Sequence, residues 1–370
     1  MMRLALLVAC GIVLPIAVAA QAPGPAAVSD TAPKITVGGF VDGYYAFDFN
    51  RPAGFDRAYT TQPARHDEFN VNLAFVELKL DAPGYRGRFA LQTGTSVQAN
   101  YAGEPRIGAI SGPDLARFIQ EAVVGVKVGG SAWIDGGIFL SHLGEESFIS
   151  RDNPIYTRSL VADYSPYYES GVKLTWQPTS TVSALFAVVN GWQNISETNS
   201  AKSVGSRVDY SPSAATTLSY YNYVGDEAPD SASHRQWRVF NGTGVRTAVS
   251  AQLQLLGEAD YGTQQRGTGA GSSSWYGGML IGRYQATPRT AIVGRIERYR
   301  DDDQVMIVTG LPDGFRANGA SIGFDVSPAP RLLWRAELRG FQAAHPVFPE
   351  HVGTPSTHDA FVVTSLALTF

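Results

Sequence analysis

The sequence predicts an all-β fold: a transmembrane antiparallel β-barrel of about sixteen strands with short periplasmic turns and long extracellular loops. Three observations predict it: apolar and polar residues alternate over many segments, short and long connections alternate between those segments, and the last residue belongs to one of them. In the closing segment, Ala360, Val362, Thr364, Leu366, Leu368 and Phe370 share one face of a strand, and Asp359, Ser365 and Thr369 share the other.

The chain begins with a leader. Met1 to Arg3 form a positive start, Leu4 to Ala17 an apolar core, and Ala17-Val18-Ala19 or Val18-Ala19-Ala20 a small-residue cleavage site, so residues 1–20 are expected to be a signal peptide that is removed. Cys10, the single cysteine, mimics a lipoprotein acceptor, but the apolar run continues through Ile16 and cleavage there would leave the core too short. Its loss leaves no thiol for disulfides or metal ligation. Residues 21–34, QAPGPAAVSDTAPK, read as a disordered periplasmic lead-in, and 35–370 as the barrel.

From Ile35 the texture changes. Ile35, Val37, Val41, Tyr45, Phe47 and Phe49 oppose Thr36, Asp42, Tyr44, Asp48 and Asn50. RFALQTGTSVQAN sets Phe89, Leu91 and Val97 against Arg88, Gln92, Ser96 and Gln98. In RLLWRAELRG, Leu332, Trp334, Ala336 and Leu338 oppose Arg331, Arg335, Glu337 and Arg339, a pattern that excludes a helix with one apolar stripe. Beyond the leader, no stretch reaches the ~20 apolar residues of a membrane helix, so a spanning structure must use strands of ~9–11 residues.

Short connections carry turn residues, as in Asp81-Ala82-Pro83-Gly84, Gly129-Gly130-Ser131, Gln177-Pro178-Thr179, Ser211-Pro212-Ser213, Thr287-Pro288-Arg289 and Ser327-Pro328-Ala329-Pro330. Long polar ones lie near residues 51–65, 101–116, 143–163, 193–201, 225–235, 262–273, 301–315 and 342–357. Lipid cannot satisfy an open sheet edge, so such a sheet must close. A soluble all-β propeller is the competing architecture, and the leader and paired loop lengths weigh against it. Tyr164, Tyr167 and Tyr168 at one strand end and Trp176 at the other are expected to form interfacial girdles.

Lys+Arg 29 against Asp+Glu 33 gives a net charge of -4, which argues against nucleic acid. No cofactor is expected. His345, Glu350 and His351, and Asp301, Asp302, Asp303 and Asp313, lack metal-ligand spacing and read as solvated loop charge. Gly267 to Ser274 lacks the lysine of a phosphate loop. His66, His234, His345, His351 and His358 fall in loops with no evident Ser or Asp partner, so no catalytic residue is assigned.

GGIFLSHLGEESFISRDNPIYTRSL (136–160), YYESGVKL (167–174) and VVNGW (188–192) resemble the putative beta-barrel porin-2, OmpL-like family. Ser141-His142 departs from the Thr-Pro of that pattern. The resemblance implies an outer-membrane barrel in a Gram-negative cell and a channel, with no particular solute. About sixteen strands leave an aqueous lumen where about eight would fill with side chains. The expectation is therefore a porin passing small hydrophilic solutes or ions by passive diffusion.

Arg88, Lys127, Arg207, Arg283, Arg295, Arg335 and Arg339 fall on polar faces and are the expected basic lining, among Glu169, Lys173, Glu258, Asp260, Glu297, Asp325 and Glu337. The loop 143–163 follows the fifth strand, the place where general porins fold a loop inward. Glu145, Glu146 and Asp152 are expected to form a constriction facing Arg88, Lys127 or Arg207, giving a transverse field that orients dipolar solutes. The plainer alternatives are an exposed acidic loop and structural ion pairs. Lumen aromatics such as Phe40, Tyr44 and Tyr299 suit a sugar-specific version. Phe370 is the expected signal to the outer-membrane assembly machinery. Lipid surrounds such a barrel; general porins are often homotrimers, and no patch here marks an interface. Rival functions are a surface binding or adhesion barrel and a barrel hydrolase.

Overall fold

The computed structural model describes residues 32–370. The expected signal peptide, 1–20, and most of the lead-in lie outside the described residues. Sixteen strands follow: β1 Lys34–Asp48, β2 Glu68–Asp81, β3 Tyr85–Thr93, β4 Ile119–Gly129, β5 Ala132–Leu140, β6 Tyr168–Trp176, β7 Val182–Val189, β8 Ser203–Ser213, β9 Thr216–Asp226, β10 Trp237–Ala248, β11 Leu253–Gln265, β12 Ser272–Thr287, β13 Thr290–Asp301, β14 Phe315–Ala329, β15 Leu332–Ala343 and β16 His358–Thr369. Each pairs antiparallel with its sequence neighbours, and β1 pairs with β16 to close the barrel.

Closure removes every sheet edge, as lipid requires. The seam runs through Val41 opposite Leu368 and Phe47 opposite Val362, and the Phe370 N–H donates to the Gly39 carbonyl at 3.0 Å. The period-2 pattern sets the two faces. On β15, Leu338 is 49% exposed on the outer wall, while Arg335, Glu337 and Arg339 are buried inside. On β16, Val362, Leu366 and Leu368 face out, and Phe361, Val363 and Ser365 face in.

Short and long connections alternate along the described chain. The turn between β10 and β11 contains neither Gly nor Pro: Val249 and Ser250 N–H groups both donate to the Leu253 carbonyl. Ser211-Pro212-Ser213 and Ser327-Pro328-Ala329 lie within β8 and β14 at register shifts, so both proline signals mark bulges next to the turns.

One expected strand segment is shorter than its alternation suggests. β3 stops at Thr93, and Thr95–Tyr101 form helix α1, followed by the single turn α2, Pro113–Ala116. Gly94 makes the corner at φ 135°, and a Cβ there would lie 2.3 Å from the Asn72 carbonyl oxygen. Ser96 and Val97 therefore turn inward, with the Ser96 hydroxyl donating to that same carbonyl at 2.7 Å. Tyr167 and Tyr168 are also buried inside, so they do not belong to the interfacial ring. Trp176 faces outward, half exposed, as a girdle residue should.

Candidate functional site

The connection from β5 to β6, residues 141–167, packs against the inward faces of distant strands. Its base closes where the Ser141 N–H donates to the Tyr167 carbonyl at 3.1 Å. Two reciprocal bonds tighten the middle, Ser147 N–H to Asn153 Oδ1 at 2.6 Å and Asn153 Nδ2 to the Ser147 carbonyl at 2.9 Å. Near its end lies α3, Leu160–Asp163, capped by Ser159. Leu143, Phe148, Ile155, Tyr156, Leu160 and Val161 are buried.

Buried backbone outside regular structure needs hydrogen-bond partners, and charged side chains of the wall provide them. Arg335 donates to the Ser150 and Asn153 carbonyls, both at 2.7 Å, Arg283 to Pro154 at 3.0 Å, Arg295 to Thr157 at 2.6 Å and Arg339 to Arg158 at 2.7 Å. Glu337 accepts the Thr157 N–H at 2.8 Å and Glu297 the Leu160 N–H at 2.7 Å. Across the lumen, Asp42 accepts from the Ser150 hydroxyl at 2.7 Å and Glu258 from the Glu145 N–H at 3.1 Å.

The expected carboxylates separate into three environments. Glu145 pairs with Arg207 at 2.7 Å, its chain passing Gly244 so closely that a Cβ there would lie 2.4 Å from Glu145 Cγ. Glu146 is buried behind the loop, accepting from the Ser159 N–H at 2.9 Å with Arg295 3.9 Å away; burial pushes its carboxyl up, against the pull of Arg295. Asp152 is exposed at the loop tip.

The expected bases divide similarly. Arg88 pairs with Glu77 at 2.6 Å and with Glu121, and Lys127 lies 6.0 Å from the Trp133 ring centre; neither pairs with Glu145, Glu146 or Asp152. Arg283 and Arg335 both bond Asp325. Arg295 and Arg339 have fully buried side chains, paired with Glu297 and, for Arg295, Glu337. Phe40, Tyr44 and Tyr299 are all buried among other side chains.

A family model described as Putative beta-barrel porin-2, OmpL-like matches residues 34–370. The chain belongs to that family. This OmpL-like barrel is accordingly an outer-membrane porin in general character. Among solved structures it is similar to the anion-selective porin from Comamonas acidovorans, at 12% identity and TM-score 0.61 over 92% of this chain and 100% of that one. It is also similar to the outer membrane channel DcaP of Acinetobacter baumannii, at 13% and 0.61 over 92% and 99%. Salmonella typhi OmpF in complex with daunomycin follows at 11% and 0.58 over 91% and 97%. Likeness at these identities concerns the fold alone. No curated protein matches.

One site residue of this OmpL-like barrel escapes the sequence reading. His142 Nδ1 lies 2.9 Å from Glu169, and Nε2 3.0 Å from the Asn222 carbonyl. Two acceptors call for two N–H donors, hence a charged imidazole. Burial works against that charge, but Glu169 and the carbonyl outweigh it and hold His142 above its ordinary pKa. The available signal was register: His142 follows β5, whose partner strand β6 carries Glu169 on its inward face.

Proposed function

We propose that this chain is a passive diffusion channel for small hydrophilic solutes or ions, exported by its leader and inserted by machinery that reads Phe370. One asymmetry carries the reading. The inward charges of β13 and β15 are sealed under the loop, with Arg295, Arg339, Glu297 and Glu337 side chains at 0–1% exposure, whereas Lys79, Arg86, Arg88, Arg207 and Asp209 on β2, β3 and β8 keep 20–44%. Solutes pass along that wetter wall. The loop narrows the lumen, and Glu145 facing Arg207 supplies the transverse field, with Lys127 at the short-turn end. Glu146 anchors the loop, and Asp152 stands at its tip.

Planar-bilayer recording tests this. The full chain should give stepwise conductance, and Glu145→Gln should shift the reversal potential in a KCl gradient toward anions. A folded, membrane-inserted chain that stays electrically silent would refute the channel.

A further inference from the structure

Below the loop, on the short-turn side, lies a cavity of about 430 Å³. Its size falls within the ~300–1,000 Å³ typical of small-molecule sites. Five arginines line it: Arg151 from the loop tip, Arg246 from β10, Arg283 from β12, Arg331 from the β14–β15 turn and Arg335 from β15. Against them stand Asp152 in the lining, Asp325, which bonds Arg283 and Arg335, and Glu145, 4.0 Å from Arg246. The cluster keeps an excess of two positive charges when all three carboxylates are ionised.

This is unlike a second charged cavity, between β2, β3, β4, β5 and β6. That space of about 240 Å³ sets Lys79, Arg86, Arg88 and Lys173 against Asp81, Glu121 and Asp135, and its Arg86 and Arg88 are held in ion pairs. In the arginine cavity, Arg151 and Arg331 have no ion-pair partner among the described residues, and Arg335, bonded through Nη1 and Nη2, keeps a buried Nε with no hydrogen-bond partner. Guanidinium groups converging from a loop tip and three wall positions match the oxygens of a multiply charged oxyanion, which accepts several forked donors at once. Loop residues 151–154 roof the cavity through their bonds to Arg283 and Arg335, so a ligand approaches from the short-turn side.

We infer that this cavity is a binding station for phosphate-bearing solutes at the short-turn mouth of the barrel. It goes beyond the channel reading, since binding requires no transport.

The test titrates the detergent-solubilised full chain with pyrophosphate at constant ionic strength, read by calorimetry. The expected result is one saturable site, weakened about tenfold or more in Arg151→Gln/Arg246→Gln/Arg331→Gln. Arg106→Gln, which removes one charge, as Arg151→Gln alone does, from a remote long loop where Arg106 pairs with Asp114 at 2.6 Å, should leave affinity unchanged. No saturable binding, or equal affinity in parent and triple variant, overturns the inference. Where the triple variant loses heat-modifiable migration, Arg151→Gln alone serves, since its side chain bonds only Thr369 Oγ1; affinity should fall several-fold, and an unchanged value overturns the inference equally. In bilayers, pyrophosphate should depress KCl current from one face only. A silent bilayer with intact binding removes the channel and spares the station; a conducting barrel that pyrophosphate neither binds nor blocks does the reverse.

Discussion

Arg339 and Arg246 both point into the barrel, yet they live in different physical worlds. Arg339 has no exposed side chain, with Glu297 at 2.6 Å and loop atoms on its remaining donors, whereas Arg246 is half exposed and reaches the loop through one bond of 3.0 Å to the Glu145 carbonyl. Taking a guanidinium out of water is recovered only when its donors are all met. Under the loop Arg339 is met by Glu297, the Thr157 hydroxyl and the Arg158 carbonyl, so charge there acts as architecture. At the mouth the donors stay available to solvent and solute. Residue type and inward facing do not distinguish the two uses; coverage by the loop does.

The sharpest way to break this contrast is Arg339→Met, which takes from the buried Glu297 its nearer cation and leaves it Arg295 at 3.3 Å. Removing one partner of a buried pair costs about 3–5 kcal/mol. The wall is held by strand pairing, so the loss should fall on the loop: limited proteolysis within 141–167 and larger, noisier single-channel currents are expected. Gly94→Val comes next. It forces a β-branched residue to φ 135° with its Cβ 2.3 Å from a carbonyl oxygen, a strain of about 1–3 kcal/mol or more, read as a lower temperature for loss of heat-modifiable migration.

Glu145→Gln should cost about 1 kcal/mol of stability, while shifting the cation-to-anion permeability ratio about two- to fivefold toward anions. Glu146→Gln, lying behind the loop, should shift the ratio far less. Equal shifts from the two variants would dissolve the distinction between the carboxylate paired with the half-open Arg207 and the one that anchors the loop. The smallest effect concerns His142. Its folded pKa is raised, so its contribution is complete below the unfolded value of about 6.5 and disappears as pH rises through the folded one. Thermal stability in detergent should decline across that interval, and His142→Gln should flatten the decline.

The wall was legible in the sequence because alternation is local: Leu332 to Arg339 announces both its lipid face and its lumen face without reference to any other segment. The turn at 249–252 was invisible since its hydrogen bonds need no Gly or Pro. Helix α1 was misread as strand because Ser96 and Gln98 continue the alternation, and only the corner at Gly94 interrupts it. Tyr167 and Tyr168 look like girdle residues at a strand end, but the same amphipathic side chain also suits a packed lumen, where the Tyr168 hydroxyl donates to Glu104 at 2.8 Å. The loop's attachments were least legible. Thr157 and Glu337 are 180 residues apart, and no local pattern relates them.

That separation has a consequence for how the molecule is made. The bonds that seat residues 141–167 come from β1, β8, β11, β12, β13 and β15, on segments that become neighbours only as the circle completes, and contacts so remote in sequence form late. A chain arrested before its last two strands arrive is a trough with bare carboxylates and guanidinium groups along its floor. Furnishing the interior and sealing the wall thus belong to one final event, which ties the shape of the passage to the success of closure.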